Sequence, residues 1–103
     1  MKRQPRETGS SGLTAKVIKR LKQFPNSFVL KLHGAGFQRA GVPDVLFIYK
    51  DITLWFETKR LGQSMTPLQK RTMKQIRTAG NGAYVIYDLS DLEMALRCWK
   101  LLT

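Results

Sequence analysis

"GVPDVLFIYKDITLWFETKR", residues 41 to 60, holds two apolar runs, Val45–Tyr49 and Ile52–Phe56, separated by Lys50 and Asp51. Runs this short, rich in β-branched and aromatic residues, read as strands, and the two polar residues between them read as a tight turn. With the turn closed at Lys50-Asp51, pairing follows by counting. Tyr49 faces Ile52, Phe47 faces Leu54 and Val45 faces Phe56. One step further Asp44 faces Glu57, and directly opposed residues share a sheet face with Cβ atoms roughly 4.5–5.5 Å apart. Lys59, two residues past Glu57, points to the same side. The hairpin therefore brings two acids and a lysine to one end of a buried sheet.

Working outward, Leu13, Val17, Leu21 and Phe24 recur at helical spacing, and Pro25-Asn26 ends that helix. "SFVLKLH" (27–33) is a strand, joined to the hairpin by the Gly-rich "GAGFQRAGVP". In "TPLQ" (66–69), Thr66 suits an N-cap, Pro67 the first helical position and Gln69 a capping box, predicting a helix to about Ala79, where "GNG" stops it. "AYVIYD" (83–88) is a fourth strand, and Ser90 with Glu93 forms a second capping box opening a final helix to near Leu102. The expected order is α-β-β-β-α-β-α: a mixed α/β domain with a central antiparallel hairpin. Residues 1–12, "MKRQPRETGSSG", have no periodicity and read as a flexible basic arm, leaving residues 13–103 as one domain.

Composition narrows the function. Eighteen Lys and Arg against seven Asp and Glu give a net charge of +11. Nine of the basic residues but only one acid, Glu7, precede Asp44. Such an excess points to a polyanionic partner, foremost nucleic acid. A membrane surface is the rival, but the charge is spread over several elements instead of one amphipathic helix. No apolar run approaches the roughly 18–20 residues of a membrane span. The lone Cys98 excludes an internal disulfide and a multi-cysteine zinc site, and it fits a reducing cytoplasm.

Two opposed carboxylates repel, so something must offset them: a shared proton, the nearby lysine or a divalent cation. Oxygen ligands suit Mg²⁺ or Mn²⁺, and Mg²⁺ typically takes one or two carboxylates plus waters and substrate phosphates. In a basic protein this pattern points to metal-assisted phosphodiester hydrolysis. Asp44 and Glu57 would hold the metal, and Lys59 would orient or deprotonate the nucleophile. The plainer alternative is a solvated strand-end salt bridge between Glu57 and Lys59.

"PD", twelve residues, then "ETK" matches the PD-(D/E)xK nuclease pattern, with Asp44, Glu57 and Lys59 in its three places. The wider context, "KLHGAGFQRAGVPD … FETKR … MTPLQKRTMKQIRTAGNGAYVIY", resembles the small stand-alone members of the virus-type replication-repair nuclease (VRR-NUC) family over roughly residues 13 to 90. The resemblance implies a restriction-endonuclease-like core, a phage or bacterial origin and metal-dependent DNA cleavage. Its favoured substrates are branched DNAs such as four-way (Holliday) junctions. It further implies that the Thr58 carbonyl adds a metal ligand and that Gln69 serves the water or a phosphate. Relatives carry a Glu on the first helix where Thr14 stands here, and the helical wheel turns Thr14 inward with Leu13, Val17 and Leu21. That departure motivates the alternative of a catalytically weakened nucleic-acid-binding module.

Phosphate contacts are expected from the outer face of the first helix (Lys16, Lys19, Arg20) and from the second helix (Lys70, Lys74, Arg77). Lys31 and His33 on the first strand, with Arg39 and Arg60, complete the candidates. The final helix is apolar nearly all round, so it is either buried within one subunit or part of a dimer interface through Met94, Cys98, Trp99, Leu101 and Leu102. Symmetric cleavage of a branched substrate needs two sites on a two-fold axis, and the resemblance also implies a homodimer.

Overall fold

The computed structural model describes residues 10–32 and 40–101. The elements run α1 (Ser10–Leu21), β1 (Phe28–Lys31), β2 (Val45–Tyr49), β3 (Ile52–Thr58), α2 (Pro67–Thr78), β4 (Gly82–Ile86) and α3 (Leu89–Cys98). This is the expected α-β-β-β-α-β-α order. The strands form one sheet in the order β1-β2-β3-β4, antiparallel except for the parallel β3–β4 pair that the α2 crossover connects. The hairpin register is the counted one, with Tyr49 on Ile52, Phe47 on Leu54 and Val45 on Phe56. Lys50, at φ 57°, supplies the left-handed residue that the tight turn requires.

Strand alternation divides the sheet into two faces. Val45, Phe47, Leu54, Phe56 and Ile86 point to one of them and pack with Val17 and Leu21 of α1 and Leu92, Ala95 and Leu96 of α3. Trp55, Glu57 and Lys59 belong to the opposite face by the two-residue period. There α2 lies over the β4 side of the sheet, with Met73 buried beneath it. On the β1–β2 side the same face leaves Phe28, Leu30 and Ile48 substantially exposed. Trp55 is half-buried and donates from Nε1 to Asn81 Oδ1 (3.2 Å).

Several sequence boundaries move. Helix α1 takes in Ser10 to Gly12, which the sequence assigns to the basic arm; residues 1–9 lie outside the described residues. It ends at Leu21, and irregular turns carry the chain past buried Phe24 to Asn26 at φ 63°. Helix α3 is capped two residues earlier than Ser90. Asp88 is the N-cap and accepts from the Asp91 N–H, while Asp91 reaches back to the Tyr87 N–H (2.8 Å). Two acids spaced by three overlap the Ser90/Glu93 pair, and the carboxylates win the backbone donors. Glu93 instead takes a two-pronged contact from Arg20 of α1 (Nε 2.6 Å, Nη2 3.1 Å), which also holds its carboxyl below the usual range.

The far end of α3 also differs. Lys100 turns left-handed at φ 59°, its N–H bonds Arg97 O, and Leu101 N–H bonds Leu96 O (2.8 Å). This is a Schellman closure built without glycine, and it tucks Leu101 into the core at 7% exposure. Trp99 is half-buried and donates to Tyr84 Oη (2.6 Å). Of the apolar residues named for a dimer interface, Met94 and Cys98 are exposed, and Leu102 lies outside the described residues. Helix α3 buries Leu92, Ala95 and Leu96 against the sheet and leaves Leu89, Met94 and Cys98 exposed.

Gly82 tests this packing. A Cβ there would sit 2.6 Å from Leu54 Cδ2 and 3.0 Å from both Trp99 Nε1 and Tyr84. Gly82→Ala should therefore destabilise the fold by about 1–3 kcal/mol, the usual range for overpacking a core. A thermal melt should show the midpoint falling by several degrees; an unchanged midpoint would mean that α3 does not press on β4 there.

Candidate active site

Three elements converge where β2 begins and β3 ends. Asp44 enters after Gly41-Val42-Pro43. Gly41 adopts φ 85° beneath α2, where a Cβ would lie 2.7 Å from Leu68 Cγ, so glycine is required twice over. Pro43 is fully buried, and its ring holds Val42 extended. The Asp44 carbonyl accepts from Leu32 N–H (2.7 Å), extending the β1–β2 pairing past the last assigned strand residue. Across the hairpin, Thr58 donates twice to one carboxylate oxygen of Asp44: its N–H at 2.9 Å and its hydroxyl at 2.7 Å from Oδ2.

Glu57 is 3% exposed. Its Oε2 accepts from Gln69 Nε2 (3.2 Å) and lies 3.8 Å from Lys59 Nζ, while its Oε1 is buried with no partner of hydrogen-bonding geometry. Burial, and next the charge of Asp44, push the Glu57 carboxyl from 4.5 up to about 7; Lys59 and the Asp44 backbone N–H pull the other way without cancelling the rise. The solvated salt bridge considered from sequence is not what forms, because the Lys59 and Glu57 side chains are only 12% and 4% exposed. Sheet geometry has brought the two acids together at the counted position, inside the protein.

Gln69 forms the capping box that the sequence offered, and its side chain also reaches Glu57. Its N–H donates to Thr66 Oγ1 and its Oε1 accepts from Thr66 N–H (2.9 Å), completing the capping box. With Oε1 so used, Nε2 is turned to Glu57. Thr14, on α1, is buried and its hydroxyl oxygen lies 2.6 Å from that of Thr58. The inward turn read from the helical wheel is therefore correct. One buried group has no counterpart in the sequence reading: Thr72 Oγ1, on the inner side of α2, has no hydrogen-bond partner.

The basic candidates are scattered around this centre. Lys70 and Lys74 are exposed on α2, and Arg77 shares that face but uses its Nε on Ala83 O (2.9 Å). Lys16 and Lys19 are exposed on α1, whereas Arg20 is engaged by Glu93 and lies over the Phe24 ring at 5.1 Å. Lys31 is exposed opposite Val45 and so sits on the sheet face away from Glu57. Arg60 is exposed directly after Lys59. His33 and Arg39 lie outside the described residues.

Among the described residues no group of three or more His, Cys, Asp or Glu side chains is placed to hold a metal ion. The donor set of the site is two carboxylates, Asp44 and Glu57, supplemented by backbone. This suits a hard cation that keeps its remaining positions for water and phosphate. The buried, unpartnered Oε1 and the raised Glu57 carboxyl are what a site with an unneutralised pair of acids shows.

A mixed four-stranded sheet with helices on both faces thus carries an acid–acid–lysine cluster at a strand end. The sequence matches no family model and no curated protein. Solved structures match the fold, two of them as follows. One, a "VRR_NUC domain", has a TM-score of 0.71 and 20% identity over 85% of this chain and 94% of that one. The other, a "VRR_NUC domain protein", has a TM-score of 0.66 and 20% identity over 85% and 84%. The chain has the fold of the VRR_NUC domains.

The raised Glu57 carboxyl carries a stability signature. The folded state holds this proton to about pH 7 and the unfolded chain releases it near 4.5, so metal-free stability should fall as pH rises through that window and level off above it. The shift corresponds to roughly 3 kcal/mol. Glu57→Gln should remove this dependence and be the more stable protein at pH 8 in a chelator. Denaturant melts at pH 5 and pH 8 check it: equal pH sensitivity in both proteins would place the titration elsewhere.

Proposed function

We propose that this protein is a VRR-NUC-type, Mg²⁺- or Mn²⁺-dependent DNA endonuclease that hydrolyses phosphodiester bonds. The observation that carries the reading is the Glu57 carboxylate, buried against Asp44, touched by Lys59 and Gln69, with one oxygen unpartnered. Asp44, Glu57 and the Thr58 carbonyl would hold the metal, whose chemistry is to polarise a phosphate oxygen and acidify a water. Thr58 fixes Asp44, and the capping box aims Gln69. Lys59, held beside Glu57, orients or deprotonates the attacking water. The net charge of +11 supplies the attraction for a polyanion that two acids alone would repel.

Branched DNA, four-way junctions included, is the substrate class this reading favours, cut by a homodimer with its two sites on a two-fold axis. The second reading is a nucleic-acid-binding module weakened in catalysis. It is favoured by Thr14, which places a hydroxyl where α1 would otherwise present a third acid. A panel of linear, flapped, forked and four-way DNAs, incubated with and without Mg²⁺ or Mn²⁺, separates them. Cleavage that needs the metal supports the enzyme; tight binding with no strand cut in either metal leaves the binding module.

If the enzyme reading holds, Asp44→Asn and Glu57→Gln should abolish cleavage yet bind DNA as well or better, because a repelling charge is gone. Lys59→Ala should lose about 10²–10⁴-fold in rate, the usual worth of general acid–base help, while still taking up metal. Near-normal turnover in Lys59→Ala would reduce that lysine to an ion-pair partner. Light scattering decides the assembly, a mass near twice 11.8 kDa supporting the dimer and a mass near 11.8 kDa refuting it.

DNA binding itself should weaken steeply with salt. Each phosphate contact contributes about 0.9 to the log–log slope, so replacing Lys70 and Lys74 by Ala should flatten it by about two. An unchanged slope would put the DNA on another face of the protein.

A further inference from the structure

We propose that Thr14 is a positioning residue of the acid site, acting through Thr58 on Asp44. The inference rests on the nuclease reading for its consequence but on hydrogen-bond geometry for its content. Thr14 Oγ1 and Thr58 Oγ1 are 2.6 Å apart, and Thr58 Oγ1 is 2.7 Å from Asp44 Oδ2. A hydroxyl carries one proton. That of Thr58 goes to Asp44 Oδ2, which also accepts the Thr58 N–H. In the proposed arrangement the proton in the contact between the two threonines comes from Thr14. The result is a directed relay, Thr14 O–H to Thr58 O–H to Asp44 carboxylate, running from α1 across β3 to the start of β2.

All three members are sealed from solvent, at 5%, 2% and 5% exposure. In such surroundings successive hydrogen bonds polarise one another, and each donor strengthens the next. Thr58 also donates its N–H to the same Oδ2 at 2.9 Å. Two donors from one residue fix the plane of the Asp44 carboxylate, and Thr14 fixes the rotamer of the Thr58 side chain that supplies one of them. In the proposed function the Thr58 carbonyl would be a metal ligand as well, so Thr14 clamps the residue that fixes Asp44 and would itself hold the metal. The Thr14 hydroxyl reaches a different element, 44 residues away in sequence.

The test uses Thr14→Val, which keeps the shape and removes the hydroxyl, and Thr14→Ser, which keeps the hydroxyl and loses a methyl. Thr14→Ala serves in place of Thr14→Val if the latter does not fold. The first readout is the side-chain carboxyl ¹³C resonance of Asp44 in metal-free protein at fixed pH. The second is Mn²⁺ binding to DNA-free protein, followed by the Mn²⁺ electron spin resonance signal. The third is cleavage rate against Mn²⁺ concentration.

Thr14→Val should shift or broaden the Asp44 resonance and weaken Mn²⁺ about tenfold, as loss of an outer partner of a metal ligand typically does. Cleavage should recover toward wild type as Mn²⁺ is raised, and DNA affinity should hold. Thr14→Ser should match wild type throughout. A hydroxyl-free variant with the wild-type resonance and Mn²⁺ affinity overturns the proposal, as does a Thr14→Ser variant as impaired as Thr14→Val, which would show that packing alone matters. If the wild type takes up no Mn²⁺, the metal-dependent reading fails, and the Asp44 resonance by itself still decides whether Thr14 positions that carboxylate.

Discussion

Two hydrogen bonds from Thr58 to one oxygen of Asp44 tie the start of β2 to the end of β3, and the arrangement of the site depends on that tie. Without it the hairpin would still pair, because Val45 to Tyr49 meet Phe56 to Ile52 through backbone and core contacts. Asp44, however, would sit beyond the last assigned pair with a repelling acid opposite. The tie converts a frayed strand end into a fixed one. It leaves the cost of burying charge on Glu57, whose carboxyl is pushed to about 7. That asymmetry assigns the two acids different parts: Asp44 is anchored by Thr58, and Glu57 is strained by burial and proximity. In the proposed function a divalent cation would relieve the second.

The surrounding charge makes sense of the centre. In the proposed function, a protein at +11 with a buried acidic pair would attract phosphate from a distance and repel it at the last step unless a cation offset the pair. Exposed Lys70 and Lys74 on α2 and Lys16 and Lys19 on α1 can act at long range, where flexible ammonium groups serve well. Arg20 shows that not every basic residue belongs to that field. Its guanidinium joins α1 to α3 through Glu93 and covers Phe24, a packing role.

What was legible in the sequence follows from how local each signal is. The hairpin register could be counted because alternation and a two-residue turn leave few options, and α2 could be placed because Thr66, Pro67 and Gln69 each favour the same start. The α3 boundaries could not. Two overlapping capping patterns compete at its start, and Lys100 closes its end in a left-handed turn where the sequence signal expects glycine. That turn folds Leu101 and Trp99 back on the core, while Met94 and Cys98 stay exposed on α3, a division the helix pattern alone does not show. The partner of Arg20 lies 73 residues away, and no wheel drawn on α1 alone reveals it. The same holds for Thr14, whose inward turn was legible but whose hydroxyl partner was not.

Gln69 shows how a common structural signal can carry a site. The pattern "TPLQ" announces a helix start anywhere it occurs, and the capping box alone would account for its glutamine. In this fold the box has a second effect. Because Oε1 is held by the Thr66 N–H, the amide cannot flip, and Nε2 presents only donors toward the Glu57 carboxylate. A free glutamine could offer Glu57 either end. The capped one offers a fixed donor at the N-terminus of a helix, where the backbone dipole also favours negative charge. The helix start and the strained acid therefore stabilise each other, and the geometry of the cap is part of the geometry of the site.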